Sequence, residues 1–294
     1  MNNYTKATIY MTFSTVCLAV MGATVKMLNT YSLSQVMFFR SFAALLTVLV
    51  FISRSGSILS LKSTKFKLHT LRSIFGISAM ACSFYALRNL PLATASALLH
   101  TKTLFIVPLA TFMLHEEFFR RRMLFTIIGF LGVIILLNPT SPDLSSGSLF
   151  GLMGAFFGAL AMLSVRALGK TESATTIVFY FMLAGSFCSA LLMINNWNYP
   201  NSTSDWVLLI TTGIMGGLGQ LSLVSAYKIA EASFVAPMAY LQLIWTAVIG
   251  IMFWNEIPTF WVISGSLVLV ISQLAIQQHG YWAQKRFQKI TISH

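Results

Sequence analysis

The stretch Leu92–Glu117, LATASALLHTKTLFIVPLATFMLHEE, holds a cation, Lys102, in the middle of an apolar run and ends in a pair of carboxylates. Up to Leu114 it has about the 20 residues needed to cross ~30 Å of hydrocarbon as a helix. Lys102 then lies about ten residues, or ~15 Å, from the nearest interface, a long way to snorkel. On insertion scales a lysine at that depth costs about 2.5–3.5 kcal/mol, so it is tolerated against a polar cavity, a partner group or a bound anion. No carboxylate shares its span: the seven acids, Glu116, Glu117, Asp143, Glu172, Asp205, Glu231 and Glu256, all fall at span ends or in loops. A central cation without a counter-ion points to a pathway through a membrane.

Outward from this stretch the composition repeats. Apolar residues make up 56% of the 294 positions and charged residues 9%, where a soluble domain carries about 25% charged. Apolar runs of crossing length fall at 7–28, 33–52, 70–88, 92–114, 121–138, 147–166, 174–195, 205–227, 232–254 and 258–278, which predicts an all-α integral membrane protein of ten transmembrane helices. Turn-forming punctuation separates them, as at Asn89–Pro91, Asn138–Ser146, Asn195–Ser204 and Asn255–Pro258. Met1–Lys6 followed by an apolar run resembles a signal peptide, but the run is too long and lacks an A-x-A site, so it reads as the first span.

The net charge of +12, from 19 Lys and Arg against 7 Asp and Glu, would suggest nucleic acid in a soluble chain. Here no basic stripe interleaved with aromatics lies on a polar surface, so no nucleic-acid partner is expected. With the N-terminus cytoplasmic, 15 of the 19 basic residues fall in inner segments, so the positive-inside rule predicts both termini in the cytoplasm. Lys26, Arg40, Arg88 and Lys102 are the four that remain. Cys17, Cys82 and Cys188 lie inside apolar spans without C-x-x-C spacing, which predicts packing residues, neither disulfide nor metal.

Shifted by 140 residues, the chain echoes itself: Ala86, Arg88, Lys102, Phe105 and Glu116 fall on Ala226, Lys228, Gln242, Trp245 and Glu256, and Lys26 and Phe39 on Arg166 and Phe179. Spans one to five therefore echo spans six to ten, with repeats at 1–140 and 141–294, the latter with a cytoplasmic C-terminal tail. Because five is odd, matched residues lie on opposite membrane sides. This is an inverted-topology repeat, the plan of many alternating-access carriers.

RSIFGISAMACSFYALRNLPLATASALL at Arg72–Leu99, ASFVAPMAYLQLIWTAVIGIMFWNEIP at Ala232–Pro258 and FFRSF at Phe38–Phe42 resemble the EamA family of the drug/metabolite transporter superfamily. The resemblance covers about residues 7–278 and implies the ten-helix, five-plus-five plan. It implies transport of small metabolites, such as amino acids and their derivatives, S-adenosylmethionine or riboflavin, mainly across bacterial inner membranes. Thr103 stands where the family commonly has a proline, with Pro108 further on.

Lys102 is the leading substrate-binding candidate, with a carboxylate on the cargo as its counterpart; the alternatives are a backbone anchor or, once neutral, a proton carrier. Gln242 is its repeat partner, and Tyr240 that of His100. Residues two apart on one helix do not share a face, so Lys102 and Gln242 are favoured over His100 and Tyr240. His100 reads as a packing residue or a proton-coupling group. Arg40 reads as a snorkelling or carbonyl-paired residue that, with Lys26 and Arg88, gives the outer mouth a positive field attractive to anions. Arg72 reads as an inner-interface anchor. Trp245, Phe105, Tyr85 and Tyr227 could stack on a planar cargo or simply pack. Gln220, with Ser83 and Ser225, could hydrogen-bond cargo or a neighbouring helix. Gly151, Gly154 and Gly158, like Gly216, Gly217 and Gly219, are spaced for close helix approach. Glu116 and Glu256 read as helix caps or loop anchors.

These readings predict a secondary transporter of a small organic metabolite, an amino acid or derivative with an anionic group, in the bacterial inner membrane. Uptake of a cofactor-like metabolite such as S-adenosylmethionine or riboflavin is the alternative. No Walker loop is present, so gradient or exchange coupling, to protons or a counter-substrate, is expected in place of ATP. An enzyme is not expected: His115-Glu116-Glu117 lacks the second histidine of a zinc motif. Neither a cofactor nor a metal is expected. A non-transporting assembly partner would favour a soluble domain, which the sequence lacks. The expected partners are the metabolite and the lipid bilayer, with monomer and homodimer both open.

Overall fold

The computed structural model describes residues 3–55, 61, 63–113, 120–138, 145–169, 171–230 and 235–292, and there is no strand among them. The helices are α1 (Asn3–Met27), α2 (Leu33–Ser55), α3 (Phe66–Asn89), α4 (Leu92–His100), α5 (Lys102–Met113), α6 (Arg120–Leu136), α7 (Ser146–Leu168), α8 (Ala174–Met193), α9 (Thr203–Ile229), α10 (Leu241–Trp254) and α11 (Phe260–Ile292). A short 3-10 helix, Ala236–Tyr240, leads into α10. Seven helices are long and apolar enough to cross a membrane, and shorter apolar helices cover 123–136, 238–254 and 260–276. His115, Glu116, Glu117, Asp143 and Glu231, and the side chain of Tyr227, lie outside the described residues.

Helix ends follow local chemistry. Ser145, Ser173 and Ser202 each accept a backbone N–H of the first turn, and Asp205 completes a capping box with Ser202 at the start of α9. Asn138 and Asn255, with φ of 52° and 54°, close α6 and α10 in the left-handed conformation that asparagine tolerates. The fourth and ninth spans differ from expectation. Both are broken, at Thr101 and at the junction of Tyr240 with Leu241, where an unbroken helix is predicted. The last helix also runs well past residue 278, to Ile292.

Five pairings dominate the packing: α3 on α7, α1 on α9, α6 on α11, α2 on α8 and α2 on α9. Each is made at small residues, as expected where lipid removes the hydrophobic drive between helices and close backbone contact supplies the attraction. On α7, Gly151 faces Leu98 and Ala86, and Gly154 faces Ser83 and Cys82. On α9, Gly219 faces Leu18 and Cys17, and its carbonyl accepts the Ser14 hydroxyl at 2.7 Å. Backbones meet closely at two crossings: a Cβ on Gly265 of α11 would stand 2.7 Å from the Gly132 carbonyl of α6, and one on Gly213 of α9 would stand 2.6 Å from the Phe39 carbonyl of α2. The glycine rows predicted as packing surfaces are used as such. Facing outward, Ile127, Leu131 and Ile134 of α6 and Ile263, Leu267 and Ile271 of α11 are each more than half exposed, the face a helix turns to lipid.

Candidate functional site

The interior is organised by the break in the fourth span. The Thr101 hydroxyl donates to the Leu98 carbonyl at 2.6 Å, and the Thr101 N–H turns to that same carbonyl at 3.0 Å, three residues back. A β-branched residue that back-bonds in this way competes with the helical ladder. α4 therefore ends at His100, and α5 begins at Lys102. In the ninth span Pro237 opens the 3-10 turn, and α10 starts one residue before Gln242. The two breaks lie 140 residues apart, Thr101 matching Leu241.

Around these breaks polar groups converge. The His100 ring lies 5.5 Å from that of Tyr240, and the Gln242 side chain lies close to the imidazole. Gln242, the repeat equivalent of Lys102, thus lies near His100, the two breaks bringing the matched segments together. Lys102 lays its alkyl stem against Gly158 of α7, whose missing side chain leaves it room, and its charge acts on His100. Its amine makes no hydrogen bond or ion pair among the described residues. Trp245 buries its indole N–H one turn further along α10, without a partner.

One member of this group escaped the sequence reading. Gln273 of α11 is fully buried; it donates to the His100 carbonyl at 3.1 Å and leaves its own Oε1 unpartnered. The signal that could have found it is the one that singled out Gln220 and Gln242, an amide inside an apolar span. Ser96, one turn before His100, also has a buried, unpartnered hydroxyl. Each such orphan costs about 1–3 kcal/mol unless water or a ligand satisfies it. Ser96, Trp245 and Gln273 thus hold unused hydrogen-bonding capacity in the interior.

Other candidates fall elsewhere. Gln220 of α9, next to the Gly219 contact with α1, makes no hydrogen bond among the described residues. Ser83 and Ser225 bond to carbonyls of their own helices, at 2.6 and 2.8 Å. Phe105 meets Phe130 and Phe156 edge-on, and Tyr85 lies against Phe150. Arg40 neither snorkels nor finds a carbonyl: it is 5% exposed, with Nη1 on the Met182 sulfur at 3.2 Å. Arg72 is no interfacial anchor, since its guanidinium lies on the Phe181 ring.

Of the cations expected at the outer mouth, Lys26 is paired. Lys26 pairs with Glu256 and donates to the Leu90 carbonyl at 2.8 Å, while the second Glu256 oxygen accepts the Leu92 N–H at 2.8 Å. Glu256 is a loop anchor that neutralises Lys26. Arg88 donates to the carbonyls of Leu28 and Tyr31. These groups tie the α1–α2 and α3–α4 connections together, with Lys26 neutralised and Arg88 bonded to neutral carbonyls.

A bundle of apolar helices around broken spans, with an unpaired cation and orphaned polar groups in its interior, defines a multi-pass membrane protein with a polar interior. The profile of the EamA-like transporter family matches residues 5–138 and again 145–276, and the chain belongs to that family, within the drug/metabolite transporter superfamily. It is similar to the pseudopaline exporter of Pseudomonas aeruginosa, 29% identical over 88% of this chain and 92% of the relative. The riboflavin transporter of Vibrio cholerae is 30% identical over 84% of this chain and 82% of its own length. The S-adenosylmethionine uptake transporter of Rickettsia prowazekii is 27% identical over 82% of each. A crystal structure overlays 93% of this chain and 97% of its own at a TM-score of 0.67 and 16% identity, which shows the shared fold.

Proposed function

We propose that this transporter is a secondary carrier of the bacterial inner membrane that moves a small organic metabolite with a carboxylate or similar anionic group by alternating access. Both termini are cytoplasmic in this reading. The observation that carries it is Lys102, unpaired where the fourth span breaks, beside the His100, Tyr240, Gln242 and Gln273 group. Its ammonium takes the anionic group, while the amides and the Trp245 N–H bond the remaining polar atoms of the cargo. Gln220 and Arg40 stand outside this group.

Alternating access is supported by the packing. Exchanging the two halves carries the α3–α7 pairing onto α9–α1, and α5–α7 onto α10–α1; α6–α11 and α2–α8 map onto themselves. Two inverted repeats, 1–140 and 141–294, hinged at the broken helices, account for this pattern. The relatives' names support two directions of movement: an exporter for pseudopaline, uptake for S-adenosylmethionine. A second reading, uptake of a cofactor-like cargo such as riboflavin or S-adenosylmethionine, is favoured by the Tyr240 and Trp245 rings at the site.

The test is a thermal-shift screen of purified protein against amino acids, organic anions, flavins and nucleoside-linked metabolites, run in parallel on Lys102→Met. An anionic ligand that stabilises the wild type and not the variant is expected. A ligand that is transported, yet stabilises both proteins equally, refutes the assignment of Lys102. A flavin or S-adenosylmethionine that binds without regard to Lys102 supports the second reading.

A further inference from the structure

A second cationic feature lies outside the Lys102 group. Arg40 of α2 and Arg72 of α3 converge on one ring, Phe181 of α8, with their guanidinium carbons 5.8 and 4.1 Å from its centroid. The space is built for them: a side chain at Gly76 would collide with both Arg72 Nη1 and the Phe181 ring, so glycine there admits the guanidinium. Gly216 of α9 likewise passes the Arg40 Nε, at 3.4 Å from where a Cβ would stand.

Two guanidinium groups cannot shed their protons, and in a membrane interior they need an anion. None of the described carboxylates supplies one. Glu172 accepts the Ser63 hydroxyl, Asp205 accepts the Tyr31 hydroxyl and caps α9, and Glu256 is held by Lys26 and Leu92. The other four acids lie in loops or at span ends by sequence. Among the described residues Arg40 Nε and Arg72 Nε and Nη1 are buried with no partner, and the polar contact that Arg40 makes there is with a thioether. An aromatic face eases a cation but leaves its N–H edge free to bind.

We infer that Arg40 and Arg72 form an oxyanion subsite, in which their free N–H edges take a second anionic group of the cargo, a carboxylate or a phosphate. The inference rests on the reading of an anionic cargo and adds to it: the metabolite carries at least two oxyanion groups. The depth of the two sites agrees. Gly154 faces Ser83 and Gly151 faces Ala86, so α3 and α7 run antiparallel in a fixed register. In that register Gly76, where the Arg72 guanidinium lies, is about three residues, or ~5 Å along the axis, from the level of Gly158 and Lys102. Bidentate geometry suits arginine to planar carboxylate or to phosphate.

The test uses the full chain in lipid nanodiscs, with inorganic phosphate and citrate as probes at constant ionic strength against chloride. Phosphate is expected to raise the unfolding midpoint of the wild type saturably. Arg40→Gln and Arg72→Gln should each weaken its apparent affinity at least tenfold. Citrate, with three carboxylates to offer to either site, should be weakened by the arginine variants and by Lys102→Met. Equal affinity in the arginine variants, or no saturable effect of either probe on the wild type, overturns the subsite. Citrate binding that depends on Lys102 alone overturns it while sparing the reading of Lys102. Arginine-dependent phosphate binding upholds it even if Lys102 proves dispensable. Wild-type protein covers the case of a variant that fails to fold: phosphate should slow phenylglyoxal modification of Arg72, read by peptide mass spectrometry, at least threefold. Unchanged labelling overturns the inference.

Discussion

Replacing Glu256 by Gln removes the charge that holds Lys26 inside the bundle, and the structure sets the size of the effect. One carboxylate oxygen meets the Lys26 ammonium and the other accepts the Leu92 N–H at 2.8 Å. The glutamine amide has a single oxygen and can satisfy one of these. The lost charge-assisted bond is worth about 1.5–3 kcal/mol. Lys26 keeps the Leu90 carbonyl at 2.8 Å and the face of Trp254 at 5.3 Å, so it is not wholly abandoned. The pair is also 10% and 20% exposed, which places the cost below the ~3–5 kcal/mol of a fully buried pair. The expected loss is about 2–3 kcal/mol, measured by equilibrium unfolding in mixed micelles with tryptophan fluorescence. Lys26→Met combined with Glu256→Gln should recover at least ~1 kcal/mol relative to the sum of the single changes. A loss under ~1 kcal/mol for Glu256→Gln, or strictly additive singles, refutes the assignment of this pair as the tie between α1, α10 and the α3–α4 turn.

Gly158→Ala should leave transport near wild type, because its Cβ would meet Lys102 at an ordinary 3.8 Å, whereas Gly158→Leu should abolish transport without loss of inserted protein on quantitative blots. Gly265→Ala should destabilise by about 1–3 kcal/mol in the same unfolding assay, since its Cβ would press on the Gly132 carbonyl and the Leu136 backbone. The Tyr31 phenol titrates above its ordinary value because its hydroxyl donates to Asp205. Its stabilising contribution is therefore present below about pH 10 and lost as the pH rises through the shifted value. Asp205→Asn should bring the Tyr31 titration back down in ultraviolet difference spectra taken against Tyr31→Phe. Thr64→Cys, in a background lacking the native cysteines, should react only from the cytoplasmic side, and labelling from outside reverses the orientation.

The membrane character was legible because hydrocarbon thickness sets a span length and excludes charge, so composition alone located ten segments close to the observed helices. Helix ends were legible where one residue does the local work, as at Ser145, Ser202, Asn138 and Asn255. Lys102 was legible because an unpaired cation in an apolar run is costly wherever it lies. What one dimension could not carry was phase and partnership. The break at Thr101 depends on a hydroxyl choosing the carbonyl three residues back, and the two breaks bring Gln242 near His100. Gln273 went unnoticed because nothing in span ten distinguishes an amide that bonds lipid-facing backbone from one that reaches a carbonyl on another helix. Arg72 looked interfacial by its distance from the span end, yet its side chain runs inward because Gly76 and Phe181 leave it a place.

The sequence by itself determined that this chain lives in a membrane, where its apolar runs lie, and that its interior must accommodate a charge, since these follow from the free energy of moving side chains into hydrocarbon. Only the tertiary structure decided which charges are neutralised and which are free. Lys26 and Lys102 are alike as isolated letters; a carboxylate 230 residues away cancels the first, and a glycine on a neighbouring helix leaves the second open. Pairing depends on distance in space, and only the packed helices set that distance.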